Sequence, residues 1–433
     1  MKCICNQIVF VFFGLFFVLT LYGDVDSANI TCNLLTDDSI WRTKTTQSID
    51  GDADKIKISC PPNSSERKRI KIIGTIKTLY EDSVKDIPNL VEVDFSEVGL
   101  EEIQPGTFKN LPQLQRIVLQ DNNLQELKTG TFVNLTAWSF QFRRSSISSL
   151  QPGAFQNLSH VYELTLRKNR LTVIRKGVFQ NVSIRVLNLE NNGISRLEAG
   201  VFADLHADNE VGISLWLSDN RIERFDPQVF DNEDISAVNL DNNAISVLRP
   251  GDLKNLPKLR FLHLSGNKIK EIPEGVFNSS GIEILDLNDN KISVIANGAL
   301  DGMTSLSSFE IHHNKLKEWD SGWLRGLPKL KIDASYNYIK AIPEGSFVDV
   351  PGGSAVILAH NQIRNVSDGA FAGLTSLKSL DLSYNKITEW KVDFLKTVVI
   401  EEFVDLEENK IRCSDMRSDL PVLRAKGVLF GTC

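Results

Sequence analysis

Apolar residues recur along this chain with two superimposed periods. Over Leu377–Phe394 (LKSLDLSYNKITEWKVDF), Leu377, Leu380, Leu382, Asn385 and Ile387 fit the pattern L-x-x-L-x-L-x-x-N-x-L. Leu380 and Leu382 stand two residues apart, the period of a short strand with one buried face. Asn385 sits where the chain must turn away from that strand, and Phe394 closes the unit. The Asn position recurs at Val98, Asn122, Ser145, Asn169, Asn192, Asn220, Asn243, Asn267, Asn290, Asn314, Asn337, Asn361, Asn385 and Asn409, every 23 or 24 residues with one exception. Ile70 and Ile72 mark a degenerate earlier copy. An apolar anchor follows ten residues after the Asn position, as at Phe108, Phe132, Phe155, Phe179, Phe202, Phe230, Phe277, Leu324, Phe347 and Phe371, and a glycine commonly precedes it by two, as at Gly106, Gly130, Gly153 and Gly177.

One such unit cannot bury its apolar edge alone, so the units must stack. Each is expected to form a strand, a turn and an irregular or short helical return. Parallel strands about 4.8 Å apart would make fourteen of them span roughly 60–65 Å. The Asn offers two donors and an acceptor, enough to satisfy the buried backbone of neighbouring units. Val98 cannot do this, and Ser145 can do it only in part.

The spacing stretches to 28 residues between Asn192 and Asn220, so His206–Gly212 reads as a bulging insertion. Met1–Gly23 reads as a secretory signal, with Lys2 before the apolar run Ile8–Leu21, which is short for a membrane span. Residues 24–68 then form an N-terminal cap, 69–410 about fourteen to fifteen repeats and 411–433 a C-terminal cap, with a short helix expected over Asp415–Ala425. Outside the signal, cysteines fall only in the caps. Cys32 with Cys60 and Cys413 with Cys433 are the expected bridges, because the repeats keep the two pairs apart. Sequons at Asn29, Asn63, Asn134, Asn157, Asn181, Asn278 and Asn365 are expected glycan acceptors. Three of them, Asn134, Asn157 and Asn181, each follow an anchor Phe by two residues.

A net charge of −7 argues against a nucleic-acid partner. No catalytic motif is present, so no enzyme, cofactor or metal is expected. The residues between the strand leucines should line an outward, concave face. Three local features stand out there. Arg116, Arg143, Arg144, Arg167 and Lys168 suit an anionic ligand, unless nearby acids such as Asp121 and Glu163 balance them. Trp216 and Phe261, with Tyr336 and Tyr384, suit binding anchors. His263, His312, His313 and His360 suit pH sensing or plain polar filler. As neighbours in the chain, His312 and His313 are expected to diverge.

The repeats resemble those of animal extracellular leucine-rich repeat proteins, on the P-G-x-F and N-x-[IL]-x-x-[IL] elements of Asn122–Phe132 and its copies. The ending NKIRCSDMRSDLPVLRAKGVLFGTC is similar to the capped ends of insect members, including the mosquito leucine-rich immune family and its forms without a coiled coil. The resemblance implies an α/β fold: a horseshoe solenoid with its parallel sheet on the concave face. It also implies a secreted protein that recognises a protein or glycan ligand in innate immunity. The alternative is an extracellular adhesion or signalling protein in development. With no spare cysteine, any oligomer would be non-covalent.

Overall fold

The computed structural model describes residues 20–22, 28–31, 45–50, 56–59, 68–277, 281–320, 322–323, 326–348, 352–390, 398–412, 421 and 427–429. The four cap cysteines, Asn63, Asn278, Leu324, Phe394, the expected signal up to residue 19 and, but for Pro421, the expected helix over 415–425 lie outside these residues. Two compact units are formed: Met1–Asn220 with Gln228–Asp234, and Arg221–Pro227 with Ile235–Cys433.

In the first unit the strands Lys68–Gly74, Leu90–Asp94, Arg116–Val118, Ser139–Gln141, Phe155–Thr165, Phe179–Asn188 and Ile213–Trp216 form one parallel ladder. Like positions of successive repeats are in register, as Ile117 with Val93 and Phe140. A second ladder runs under the return, where Phe132–Val133 pairs with Phe155–Gln156 and that with Phe179–Gln180. The anchor rings stack inside it: Phe108, Phe132, Phe155 and Phe179 follow one another at centroid spacings of 5.5, 5.5 and 5.7 Å. All four are buried. Thr45–Asp50 continues the main ladder ahead of Lys68–Gly74.

The second unit repeats the plan with Phe261–His263, Ile284–Asp286, Ser308–Glu310, Lys331–Asp333, Ser354–Ile357, Ser376–Asp381, Val399–Asp405 and Val428–Leu429. Its returns are turns over Leu253, Phe277 and Leu300. Buried Trp319 and Trp323 supply aromatic bulk beside Phe347, which stacks on Phe371 at 5.1 Å.

No α-helix occurs in the described returns, so the short helical return left open by the sequence is not found there. The reason is local. Gly106, Gly130, Gly153 and Gly177 take φ of 74–80°, and a left-handed residue there interrupts the right-handed run a helix needs. The insertion is a turn over residues 207–212 after the short strand Leu205–His206, and it leaves that pairing with Phe179–Asn188 intact.

The asparagines form the expected ladder. Asn169 Oδ1 accepts from the Ser145 and Ile147 N–H groups at 3.0 Å each. Its Nδ2 donates to Phe142 O at 2.7 Å and Leu166 O at 2.8 Å. Asn290 does the same in the second unit, towards Ile269 N–H, Leu264 O and Leu287 O. Ser145 keeps one donor bond, from Oγ to Leu119 O at 2.7 Å. At Val98 the backbone stands in, its own carbonyl accepting from Ile76 N–H at 2.7 Å.

Asn169→Ala should therefore leave several buried groups unpaired and cost on the order of 3 kcal/mol or more. Ser145→Asn should restore the ladder and add about 1 kcal/mol. Urea or thermal melts of both variants check the signs; a neutral Asn169→Ala would contradict the role given to the ladder.

Candidate ligand-binding face

The residue before each ladder position is left-handed: Glu97, Asp121, Arg144, Lys168, Asn191 and Asp219 in the first unit, and Asn242, Gly266, Asp289, His313, Tyr336, His360, Tyr384 and Glu408 in the second, with φ of 52–67°. The turn has to send the asparagine inward and its predecessor outward, and this conformation does both. It costs an ordinary side chain roughly 1–2 kcal/mol. Backbone bonds from one coil to the next hold it, such as Tyr336 N–H to Ala359 O at 3.0 Å and His360 N–H to Ser383 O at 3.1 Å.

Four rings occupy consecutive places in this column. His313, Tyr336, His360 and Tyr384 stack at centroid distances of 4.3, 4.1 and 4.3 Å, with interplanar angles of 10–12°. Tyr336 and Tyr384 are about half exposed. The interior ring faces are spent on each other. His312 and His313 do not diverge as expected. Their Nδ1 atoms lie 2.8 Å apart, because the left-handed turn at His313 swings its ring back over its neighbour.

The basic set is differently placed. Arg144 forks onto Asp121, Nη2 to Oδ2 at 2.8 Å. Arg167 lies 3.5 Å from Glu190 and Arg116 4.0 Å from Glu92. Arg143 is half-buried and close enough to lower the Asp121 pKa, while Lys168 is exposed. The column is thus largely balanced by its own acids. Trp216 is exposed, beside Asn188 in the ladder. Phe261 is half-buried, with the Arg260 guanidinium 5.4 Å above its ring, and so offers less contact area than an open anchor. His263 Nδ1 is 3.7 Å from Asp286 Oδ2, and this contact raises its pKa against the opposing effect of burial.

An exposed stack went unnoticed in the sequence. Trp138 lies flat on Tyr162 at 4.7 Å and 3°, and Arg185 caps Tyr162 at 5.3 Å. All three stand two residues ahead of the first strand apolar residue, a column that aligned repeats would have displayed. The sequons Asn134, Asn157 and Asn181 lie on the return ladder, each with positive φ. Asn157 Nδ2 donates to Asn134 Oδ1 and Asn181 Nδ2 to Asn157 Oδ1, both at 3.0 Å. Asn365 opens the short strand Asn365–Val366, and Asn29 lies in Ala28–Thr31.

Against family models, residues 45–145 and 77–208 match the BspA type leucine-rich repeat region. Residues 214–269, 262–316, 280–339 and 354–394 match the leucine-rich repeat model. The chain belongs to the leucine-rich repeat proteins. Its fold is similar to that of TLR13 in complex with ssRNA13 (TM-score 0.58, 16% identity, 89% of this chain and 57% of that one). It is also similar to Toll in the Drosophila Toll–Spatzle complex (0.53, 15%, 89% and 61%). A third likeness is to the Leptospira interrogans protein LIC12759 (0.51, 18%, 78% and 90%). The chain thus spans about three-fifths of the TLR13 and Toll chains. No curated protein sequence matches it.

The Arg144 side chain holds the Asp121 carboxyl below its ordinary 3.8, against a smaller effect of burial. A lowered carboxylate stabilises the fold above its unfolded pKa, and that contribution is lost as pH falls through the folded value. Arg144→Gln should raise the Asp121 pKa towards 3.8 and flatten the acid limb of stability, by a small amount because the pair is solvent-exposed. Carboxyl NMR titration reads the first effect and melts below pH 4 the second; an unmoved Asp121 would remove the pairing from the account.

Proposed function

We propose that this chain is a secreted recognition protein that binds an extracellular protein or glycan through the solvent face of its strand ladder, in innate immunity. The observation that carries the binding face is the outward column His313–Tyr336–His360–Tyr384, where four rings on consecutive coils stack face to face. Aromatic rings gathered at outward positions, with no core to fill, point to use as contact surface. Ring edges carrying O–H and N–H groups suit the hydroxyls of a glycan or the polar groups of a peptide. The N-terminal apolar run, the cysteine pairs flanking the repeats and the seven sequons support an extracellular route. The likeness to Toll, whose complex is described as a hub in development and innate immunity, supports the setting. TLR13 is seen with RNA. Here the acid-balanced arginines and the charge of −7 favour a non-nucleic-acid ligand.

The test is capture of ligand from body fluid or on a glycan array with the tagged secreted protein. Tyr336→Ser with Tyr384→Ser should weaken capture by about tenfold or more, and Arg143→Glu with Arg144→Glu by less than about threefold. Raising salt should have little effect on affinity. The reverse ranking, or strong salt sensitivity, would shift the face to the arginines. Expression induced by infection accords with the immune setting, whereas constitutive tissue-restricted expression would move it to adhesion.

A further inference from the structure

We propose that Asp241, His263 and Asp286, on three successive coils of the second unit, form a site for a first-row divalent transition-metal ion such as Zn2+. The strand Phe261–His263 pairs with Ile235–Asn239 on one side and Ile284–Asp286 on the other. That register puts His263 level with Asp286, and Asp241 two residues beyond the strand partner Asn239. One imidazole nitrogen and one oxygen from each carboxylate lie within 4.8 Å of one another. The three side chains are half-buried on the solvent face, so coordination positions remain open towards water or a ligand.

The meeting of an imidazole with two carboxylates sets this cluster apart from the other acids of the ladder face, and two features support it as a ligand set. First, a backbone bond orients each carboxylate. Asp241 Oδ1 accepts from Ser265 N–H at 2.7 Å, and Asp286 Oδ1 accepts from Asn288 N–H at 3.0 Å. Asp286 keeps Oδ2, which faces His263, for a metal, while the Asp241 carboxylate, which also accepts from the Asn239 side chain, would share its remaining lone pairs with the ion. Second, no Lys or Arg answers these acids. Some other acids of the ladder face have one, as Asp121 has Arg144 and Glu310 has Lys331. Among the described residues, the charged groups acting on Asp241 are Asp286 and His263, and those on Asp286 are His263 and His312. Even with a protonated imidazole, two carboxylates leave the cluster negative, and a divalent cation neutralises it.

The donor set selects the ion. Carboxylate oxygens alone would favour Ca2+, Mg2+ or Mn2+, whereas an imidazole ligand favours Zn2+, Co2+ or Ni2+. Ligand bonds of about 2.0–2.2 Å require donors roughly 3.0–3.5 Å apart. The His263–Asp286 pair already stands at 3.7 Å, so small side-chain rotations close the set. A metal here would offer a Lewis-acidic contact to a carboxylate, phosphate or sugar diol of a bound partner. The site rests on this triad and not on the ring column, so the two readings fail separately.

The test uses the full secreted chain stripped with chelator. Co2+ is titrated and followed by visible absorption, Zn2+ is titrated by calorimetry, and Mg2+ and Ca2+ serve as comparators. One equivalent of Co2+ or Zn2+ should bind, Tm should rise with Zn2+, and Mg2+ and Ca2+ should be at least about tenfold weaker. His263→Gln and Asp286→Asn should each weaken Zn2+ by about tenfold or more, with the double variant His312→Ala/His313→Ala near wild type. If His263→Gln does not fold by circular dichroism, Asp241→Asn, which retains the oxygen that accepts from Ser265, takes its place. No saturable binding below about 1 mM, binding unchanged in the triad variants, or binding abolished by the His312/His313 double variant would each overturn the site.

Discussion

A buried amide without a partner costs about 1–3 kcal/mol, and every coil of this chain must make a turn inside its own core. A helix would consume those backbone groups within itself, but none is found in the described returns. The asparagine side chain does the work instead, accepting from one coil and donating to two. Asn169 and Asn290 show the same bonds in separate units. Coil length, strand register and the direction of every outward side chain follow from this one satisfied turn. Where the asparagine is missing, the substitutes are visible: a hydroxyl at Ser145 and a backbone carbonyl at Val98.

The turn also determines what the surface can carry. It obliges the residue before the asparagine to be left-handed and outward, and coil after coil those residues fall in one column. In the first unit Asp121 and Arg144 neutralise each other across adjacent coils. In the second the same geometry sets rings face to face at just over 4 Å. One backbone device thus yields charge pairing in one place and ring stacking in another. The chemistry of each stretch is decided by residue type alone, since the backbone around it is the same.

This explains how much could be read in advance. The leucines, the asparagines and the anchor rings are set by burial and by turn satisfaction within one repeat, so a single stretch such as Leu377–Ile387 displays them. Face-to-face relations join residues about 23 apart, and they appear only when repeats are aligned column by column. Trp138 and Tyr162 were missed for that reason, and Asp241 was not grouped with His263. For the arginines the sequence left an anionic site and balance by nearby acids both open, because the acids that answer them lie one coil away in register, as Glu190 does for Arg167. His312 and His313 were misjudged for a different reason: ordinary strand alternation sends neighbours apart, but the left-handed turn does not.

Balanced and unbalanced charge then separate the outward columns by what they can still do. An arginine already forked onto an aspartate must lose that partner before it can take another, so its net gain on binding is small. Rings stacked on each other keep their packing when a partner arrives, and Tyr336 and Tyr384 keep about half their surface accessible. Binding there requires little rearrangement, and preorganised contacts convert more of their interaction energy into affinity. The same reasoning applies to Asp241 and Asp286, whose outer oxygens are oriented by backbone N–H groups before any partner is present. On a rigid ladder of identical turns, the residues with capacity left over are the ones to which function can attach.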